Sequence, residues 1–506
     1  MKIPTLKTIN WREKPKKWEV LLMISFGGLA LGQSVWVFGA TESARATHEK
    51  QLEQIQSWKE ASIATAMRAS ASVRNLNGDD REVLSWLTKG FDNNQGQFQA
   101  FTDTGWDNRK FKRCLEVMPF LGSLELIASL QEAMKKHSGL DGDFDVDAWY
   151  QKLWQEESAD KLADPTYADF KATLYRAIDP RFSEYFGADK PSTISLSEIR
   201  WGGVNQDGIP PLRGPKMLKA SEASYLKDSD VVFALEVNGD ARAYPKRILA
   251  WHEMFTDTVG GVPITGVYCT LCGTMIPYES TVNGITCQMG TSGFLYRSNK
   301  LMYDRQTKSL WSTTAGEPVV GALVGKELKL KSRPVVTTTW GKWKSQHPET
   351  TVLSLNTGFS RDYGEGVAYK DYFSSDELMF AVPSLDTTLK NKAEILVLPW
   401  FKKSPTAVSI SVLNANRIYQ GSDAGARFVI ITDSSGANRV YKNSTSFKAL
   451  KGDNSILDSR GKVWTITEEA LRCAETDETL PRLEAHRAFW FGWHAAYPDG
   501  HLISKE

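Results

Sequence analysis

The chain has 506 residues, 24% charged and 41% hydrophobic, so it is too long for one ordinary core and too apolar for disorder; two or three globular domains are expected. Its formal net charge is +1 and no basic stripe is interleaved with aromatics, which excludes the usual electrostatic footprint of a nucleic-acid binder. Seventeen tryptophans call for large cores or binding grooves.

Residues 1–17 form a basic tail, with Lys2, Lys7, Arg12, Lys14, Lys16 and Lys17. Residues 18–40 come next, uncharged from Val20 to Ala40, close to the roughly 20 residues a membrane span needs. The basic flank keeps that end in the cytoplasm, which predicts a single-pass signal anchor in the inner membrane with the bulk of the chain extracytoplasmic. A cleaved signal peptide is the rival. Phe38 spoils a cut after Ala40, whereas cuts after Gly32 or Gly39 meet the small-residue rule. The uncleaved anchor is the favoured expectation. Export would place the five cysteines, Cys114, Cys269, Cys272, Cys287 and Cys473, in an oxidising compartment, and an odd count leaves at least one unpaired within a monomer.

Residues 41–145 read as a helical membrane-proximal module. Thr47–Ser70 lacks Gly and Pro and repeats apolar residues at helical spacing, and further helices are expected over Arg81–Lys89, Lys110–Met118 and Leu124–His137. Asp141, Asp143, Asp145 and Asp147 alternate as in a calcium loop, but Val146 and Lys152 stand where that loop needs Gly and Glu. Asp147 is better read as the N-cap of a helix AWYQKLWQEE.

Residues 146–506 are expected to form a large mainly antiparallel β domain with short inserted helices, an α+β chain overall. After Pro191, short β-branched and aromatic runs alternate with turn signals. Asn238-Gly239 and Asn283-Gly284 predict hairpins, because those residues tolerate positive φ. Helices are predicted within Arg247–Phe255 and within TTWGKWKSQHPETTVL. The chain closes on the aromatic segment HRAFWFGWHAAYPDGHL, in which His486 and His494 would share a helical face. Read residue by residue, the sequence shows no internal repeat.

Chemistry concentrates at Cys269-Thr270-Leu271-Cys272-Gly273, a C-x-x-C inside an apolar strand-like run. The spacing suits a redox dithiol, but the residues after it, Pro277 among them, read as strand and not as the helix that usually activates such a thiol. It equally suits half of a metal site: Cys269 and Cys272 with His252 or His486, copper before zinc because thiolates are soft, with Met275 and Met289 as further soft donors or as packing. A structural staple in a non-catalytic binding module is the third reading. No G-x-S-x-G, H-E-x-x-H or dinucleotide fingerprint is present.

Several motifs occur together and in order: AYPKRILAWHE at Ala243–Glu253, YCTLCG at Tyr268–Gly273, SGFLYRSN at Ser292–Asn299, MYDRQTKSLW at Met302–Trp311 and HRAFWFGW at His486–Trp493. This set resembles a bacterial domain-of-unknown-function family, from about Trp149 to the C-terminus. The resemblance implies no established activity. Relatives with selenocysteine at a cysteine of the C-x-x-C imply that the chalcogen there reacts or binds a soft metal. The expectation is therefore a membrane-anchored extracytoplasmic thiol oxidoreductase with Cys269 and Cys272 as nucleophile and resolving thiol in unassigned order, and His252 or His486 as base. The alternative is a copper or zinc protein on the same cysteines. Its expected partners are the membrane and a redox or metal-donor protein, not nucleic acid.

Overall fold

The computed structural model describes residues 76–504, apart from 88–94, 104, 122, 140–144, 158–163, 401–404 and 424. The signal anchor at 18–40 and the helix expected at 47–70 lie outside the described residues, as do Asp141 and Asp143. Among the described residues no helix is long and apolar enough to cross a membrane. The described chain is α+β and divides into two compact units.

The first unit takes in 76–139, 164–188 and 201–208. Its helices are α1 (Gly78–Ser85), α2 (Gln95–Asp103), α3 (Asn108–Val117), α4 (Leu124–Ser138) and α6 (Pro165–Arg176), while α5 (Val146–Glu156) belongs to the other unit. From Lys110 to Val117 every residue of α3 is buried, charged ones included. They survive burial because each is ion-paired or, as with Lys110 on the Phe101 carbonyl, hydrogen-bonded. Arg113 meets Asp80 and, at 3.2 Å, Asp164; Glu116 takes Lys171 at 2.7 Å and the Tyr167 hydroxyl at 2.6 Å.

The second unit takes in 145–157, 189–200 and 209–504. Its helix α5 is capped by Asp145, whose carboxylate accepts from Asp147 N at 2.9 Å. This corrects the expected cap: Asp147 lies inside the first turn and pairs with Arg200 at 3.3 Å. The remainder is a large, mainly antiparallel β domain.

Contrary to the sequence reading, this domain is built twice. The first copy runs β1 (Val231–Val237), β2 (Asp240–Pro245), α7 (Lys246–His252), then a meander β3 (Met254–Val259), β4 (Val262–Cys269) and β5 (Thr274–Glu279). It continues through the hairpin β6 (Met289–Tyr296) and β7 (Asn299–Asp304) to β8 (Leu310–Ser312), and ends on β9 (Val336–Thr339), α8 (Trp340–Gln346) and β10 (Thr351–Leu353). A linker carrying α9 (Lys370–Ser374) leads to the second copy. That copy repeats the order: β11 (Glu394–Leu398), β12 (Thr406–Ser409), α10 (Ile410–Ala415), β13 (Ile418–Asp423), β14 (Ala426–Thr432) and β15 (Asn438–Lys442). It then runs through β16 (Phe447–Leu450), β17 (Ser455–Asp458), β18 (Val463–Ile466), β19 (Ala470–Cys473) and β20 (Glu478–Leu483), and ends on β21 (His486–Phe489), α11 (Trp490–Ala496) and β22 (His501–Ile503).

The registers coincide. The first copy's sheet orders β9-β1-β2-β10 and the second's β21-β11-β12-β22. The last strand of each pairs in parallel, Val352 opposite Ala243 in one and Leu502 opposite Ala407 in the other. The amide of Trp340 donates to Asp230 O at 2.8 Å, and that of Trp490 to Ala393 O at 2.9 Å. In each copy a buried aspartate two strands later accepts an indole N–H, Trp311 to Asp304 at 3.2 Å and Trp464 to Asp458 at 3.4 Å.

The hairpins predicted at Asn238-Gly239 and Asn283-Gly284 form, with φ of 49° and 79° in the first and 49° and 77° in the second. The helices expected near Arg247 and Trp340 are α7 and α8. His486 and His494 do not share a helical face, because His486 sits on β21 and only His494 on α11.

Candidate functional site

Cys269 is the last residue of β4, and Cys272 lies in the turn to β5. Gly273 closes that turn at φ +60°, where a Cβ would come within 2.9 Å of the Phe489 ring. The turn brings the two Sγ atoms to 2.8 Å, and both cysteines are buried and free of disulfides.

The SGFLYRSN motif folds as the tip of the β6–β7 hairpin, with Arg297 and Ser298 both at positive φ, 49° and 61°. That tip delivers the Ser298 carbonyl to 3.0 Å from Cys272 Sγ. On the other side, Glu253 comes directly after α7 in a left-handed conformation at φ +55°. Its carboxylate accepts from the Thr270 hydroxyl, inside the C-x-x-C, at 2.9 Å and forms a buried ion pair with Lys300. The linker covers the sulfurs: Tyr372 donates to Leu271 O at 2.8 Å, and Tyr369, Phe373, Met379 and Phe380 pack against the cysteines.

Burial raises both thiols, but the two separate. At Cys269 the hydrogen bond with Cys272 and the backbone N–H groups of Lys300 and Cys272 outweigh burial and bring the thiol below its ordinary range. At Cys272 burial and the neighbouring Cys269 push the thiol well above it. The first proton to leave the pair is therefore the one on Cys269.

His252 is fully buried, with Nδ1 2.8 Å from Pro210 O and Nε2 2.6 Å from the Tyr363 hydroxyl. Because a carbonyl only accepts, Nδ1 carries the proton and Nε2 accepts from Tyr363. Both ring nitrogens are thus committed away from the sulfurs. His486 is buried on β21 opposite Val397; that strand reaches the cysteine turn through Phe489, whose N–H donates to Cys272 O at 2.7 Å. Burial brings His252 and His486 to about 4. Met275 and Met289 are packed in apolar clusters. Among the described residues no group of three or more His, Cys, Asp or Glu side chains is placed to hold a metal.

Sequence reasoning missed Glu253, Lys300, Ser298 and Gly492. The signal for the first three was adjacency: Glu253 comes after His252 in AWHE, and Ser298 and Lys300 flank Asn299 at the end of the hairpin motif. Gly492 had none; its importance is spatial, since a Cβ there would come within 3.1 Å of Cys272 Cβ.

The family described as "Protein of unknown function (DUF3179)" matches residues 206–500. The chain belongs to this family. No curated protein and no solved structure matches the chain. The DUF3179 match begins well after Trp149, the expected start of the resemblance, and contains the first copy, the second copy up to α11 and every residue of the cysteine site.

Within this DUF3179 domain the second copy serves as an internal comparison. Counting along the registers, Asp433 stands where the first copy has Cys269, Arg417 where it has Glu253, and Lys342 on the partner helix where the other has Gly492; the second copy's turn, 434–436, is one residue shorter than 270–273, and Ser435 precedes its Gly436 as Cys272 precedes Gly273. Asp433 is satisfied outright. It accepts from Ser435 Oγ at 2.6 Å, Ser435 N at 2.8 Å and Ala437 N at 3.1 Å, and pairs with Arg439 at 2.9 Å. A hydrogen-bonded turn therefore meets the needs of the fold at this place. The cysteines and the carboxylate of the first copy, and the glycine that faces them from α11 of the second, are what this turn has in addition to the fold.

Proposed function

We propose that the turn Cys269–Cys272 carries thiol–disulfide exchange. The carrying observation is the 2.8 Å approach of two buried sulfurs, in one of two turns at corresponding places in the fold. Cys269, the sulfur favoured as thiolate, attacks one sulfur of a partner's disulfide, and the other partner sulfur leaves as thiolate. Cys272 then gives up its proton and attacks Cys269 Sγ, closing the Cys269–Cys272 disulfide and expelling the second partner thiolate. Two electrons pass to the partner, and two protons leave the pair, one as Cys269 ionises and one from Cys272. Activation comes from the Cys272 thiol and the Lys300 N–H rather than a helix N-terminus, since β5 comes directly after the turn. The covering linker aromatics must move aside for a protein disulfide to reach Cys269.

The setting we propose is extracytoplasmic, with the chain anchored through residues 18–40. The basic tail and uncharged stretch of the sequence support this reading.

The test uses the full-length chain in detergent, purified anaerobically. Free thiols are counted before and after glutathione disulfide, for wild type, Cys269→Ser and Cys272→Ser. Reversible loss of two thiols in wild type, and a stable mixed disulfide on Cys269 in Cys272→Ser, are expected. About one copper or zinc per chain, lost in either variant, would overturn the exchange reading in favour of a metal centre. Alkaline extraction of membranes checks the anchor.

A further inference from the structure

Glu253 is a costly residue for the fold to keep. It is a non-glycine residue at φ +55°, buried, and ion-paired with Lys300 away from solvent. The second copy makes the same strand entry with Arg417, whose carbonyl accepts from Thr432 N at 2.9 Å just as Glu253 O accepts from Tyr268 N at 2.8 Å. The backbone role is thus met equally by a residue of opposite charge. Arg417 turns its guanidinium to Asp453 at 2.9 Å, whereas Glu253 turns its carboxylate to Thr270, between the two cysteines.

Lys300 is bound to the same turn from the other side. It sits just past the hairpin tip whose Ser298 carbonyl lies 3.0 Å from Cys272 Sγ. The charged and titratable groups around the sulfurs are Glu253 after α7, with Lys300 of β7 ion-paired to it and reaching the sulfurs through its backbone N–H, Tyr268 on β4, and Tyr369 and Tyr372 from the linker. The tyrosines are neutral, so Glu253 and Lys300 supply the fixed charge.

Resting on the exchange reading, we propose that the Glu253–Lys300 pair is a positioning pair that sets the dithiol–disulfide balance of Cys269 and Cys272. Glu253 fixes the turn through Thr270 and opposes thiolate charge; the Lys300 ammonium offsets that charge through its ion pair with Glu253. Held together, they cancel. Removing either unbalances the reduced state in a direction fixed by the charge that remains.

The measurement is the equilibrium of the full-length chain with glutathione, in which the dithiol and one glutathione disulfide give the protein disulfide and two glutathiols. It is read by differential alkylation of the Cys269–Cys272 peptide. Glu253→Gln leaves Lys300 alone, stabilises the thiolate, and lowers the oxidation constant about tenfold, equivalent to roughly 30 mV. Lys300→Met leaves Glu253 alone and raises the constant about tenfold. The double variant and Glu253→Asp return close to wild type. If either single variant fails to fold, the other still carries the sign. Shifts in the same direction for both, or none with stability alone reduced, overturn the proposal. If wild type shows no reversible couple, the exchange reading fails and this inference falls with it.

Discussion

Phe489 donates its backbone N–H to the carbonyl of Cys272 at 2.7 Å, so the last strand of the second copy holds the cysteine turn of the first. The reciprocal contact joins Thr338, on the last strand of the first copy, to Ser435 in the second copy's turn, with Oγ atoms 3.0 Å apart. Each copy thus buttresses the other's turn, and only one of the two turns carries sulfur.

Gly492→Ala tests that buttress. A helical glycine replaced by alanine ordinarily gains up to about 1 kcal/mol. Here the new Cβ would lie 3.1 Å from Cys272 Cβ and 3.4 Å from its sulfur, atoms fixed by a turn bonded at both ends. Overpacking should win, with a net loss of about 1–3 kcal/mol by chemical denaturation and altered alkylation of Cys272. Stabilisation would show that the turn yields.

Asp304→Ala and Asp458→Ala should be alike. Asp304 takes Thr307 N at 2.6 Å and the Trp311 indole; Asp458 takes Arg460 N and Lys462 N at 2.9 Å and the Trp464 indole. Each loss strands buried donors, costing about 2–4 kcal/mol. Denaturation midpoints should fall by similar amounts, and a large inequality would argue against equivalent roles.

The Cys272 thiol is the main group favouring thiolate at Cys269, against burial. Cys272→Ala removes that donor. The pH profile of Cys269 alkylation should therefore move to higher pH, and a profile that stays put would remove Cys272 from the activation of Cys269.

Stability should fall on both sides of neutrality. Burial holds His252 and His486 at about 4, so the unfolded chain takes up their protons first as pH falls from roughly 6.5, and stability is lost through that window. His347 has the opposite sign. Burial lowers it, but Glu236 at 3.3 Å and Glu468 at 3.7 Å outweigh this and hold it above its ordinary value. Its contribution is full below roughly 6.5 and disappears as pH rises through the folded value. Melting temperatures across pH should lose their alkaline slope in His347→Gln and keep their acid slope.

The sequence by itself determined the local elements, because their causes are local. Asn-Gly pairs turned the hairpins, and helical periodicity gave α3 and α4 to within a few residues. The C-x-x-C and the motifs around it were legible as the site's parts. The tertiary structure decided what those parts meet. His252 and Glu253 are adjacent, yet one side chain turns to Tyr363 and the other to Thr270, a choice made by the left-handed bend at Glu253 and by the strands packed around it. The duplication was hidden because a β core asks only for burial and register, which many sequences satisfy; TTTWGKWKSQHPE and RAFWFGWHAAYPD share little beyond two tryptophans and a proline. Those tryptophans fill the same places in two cores, and only packing across the copies could show that one turn was left with two sulfurs where the other has a satisfied aspartate.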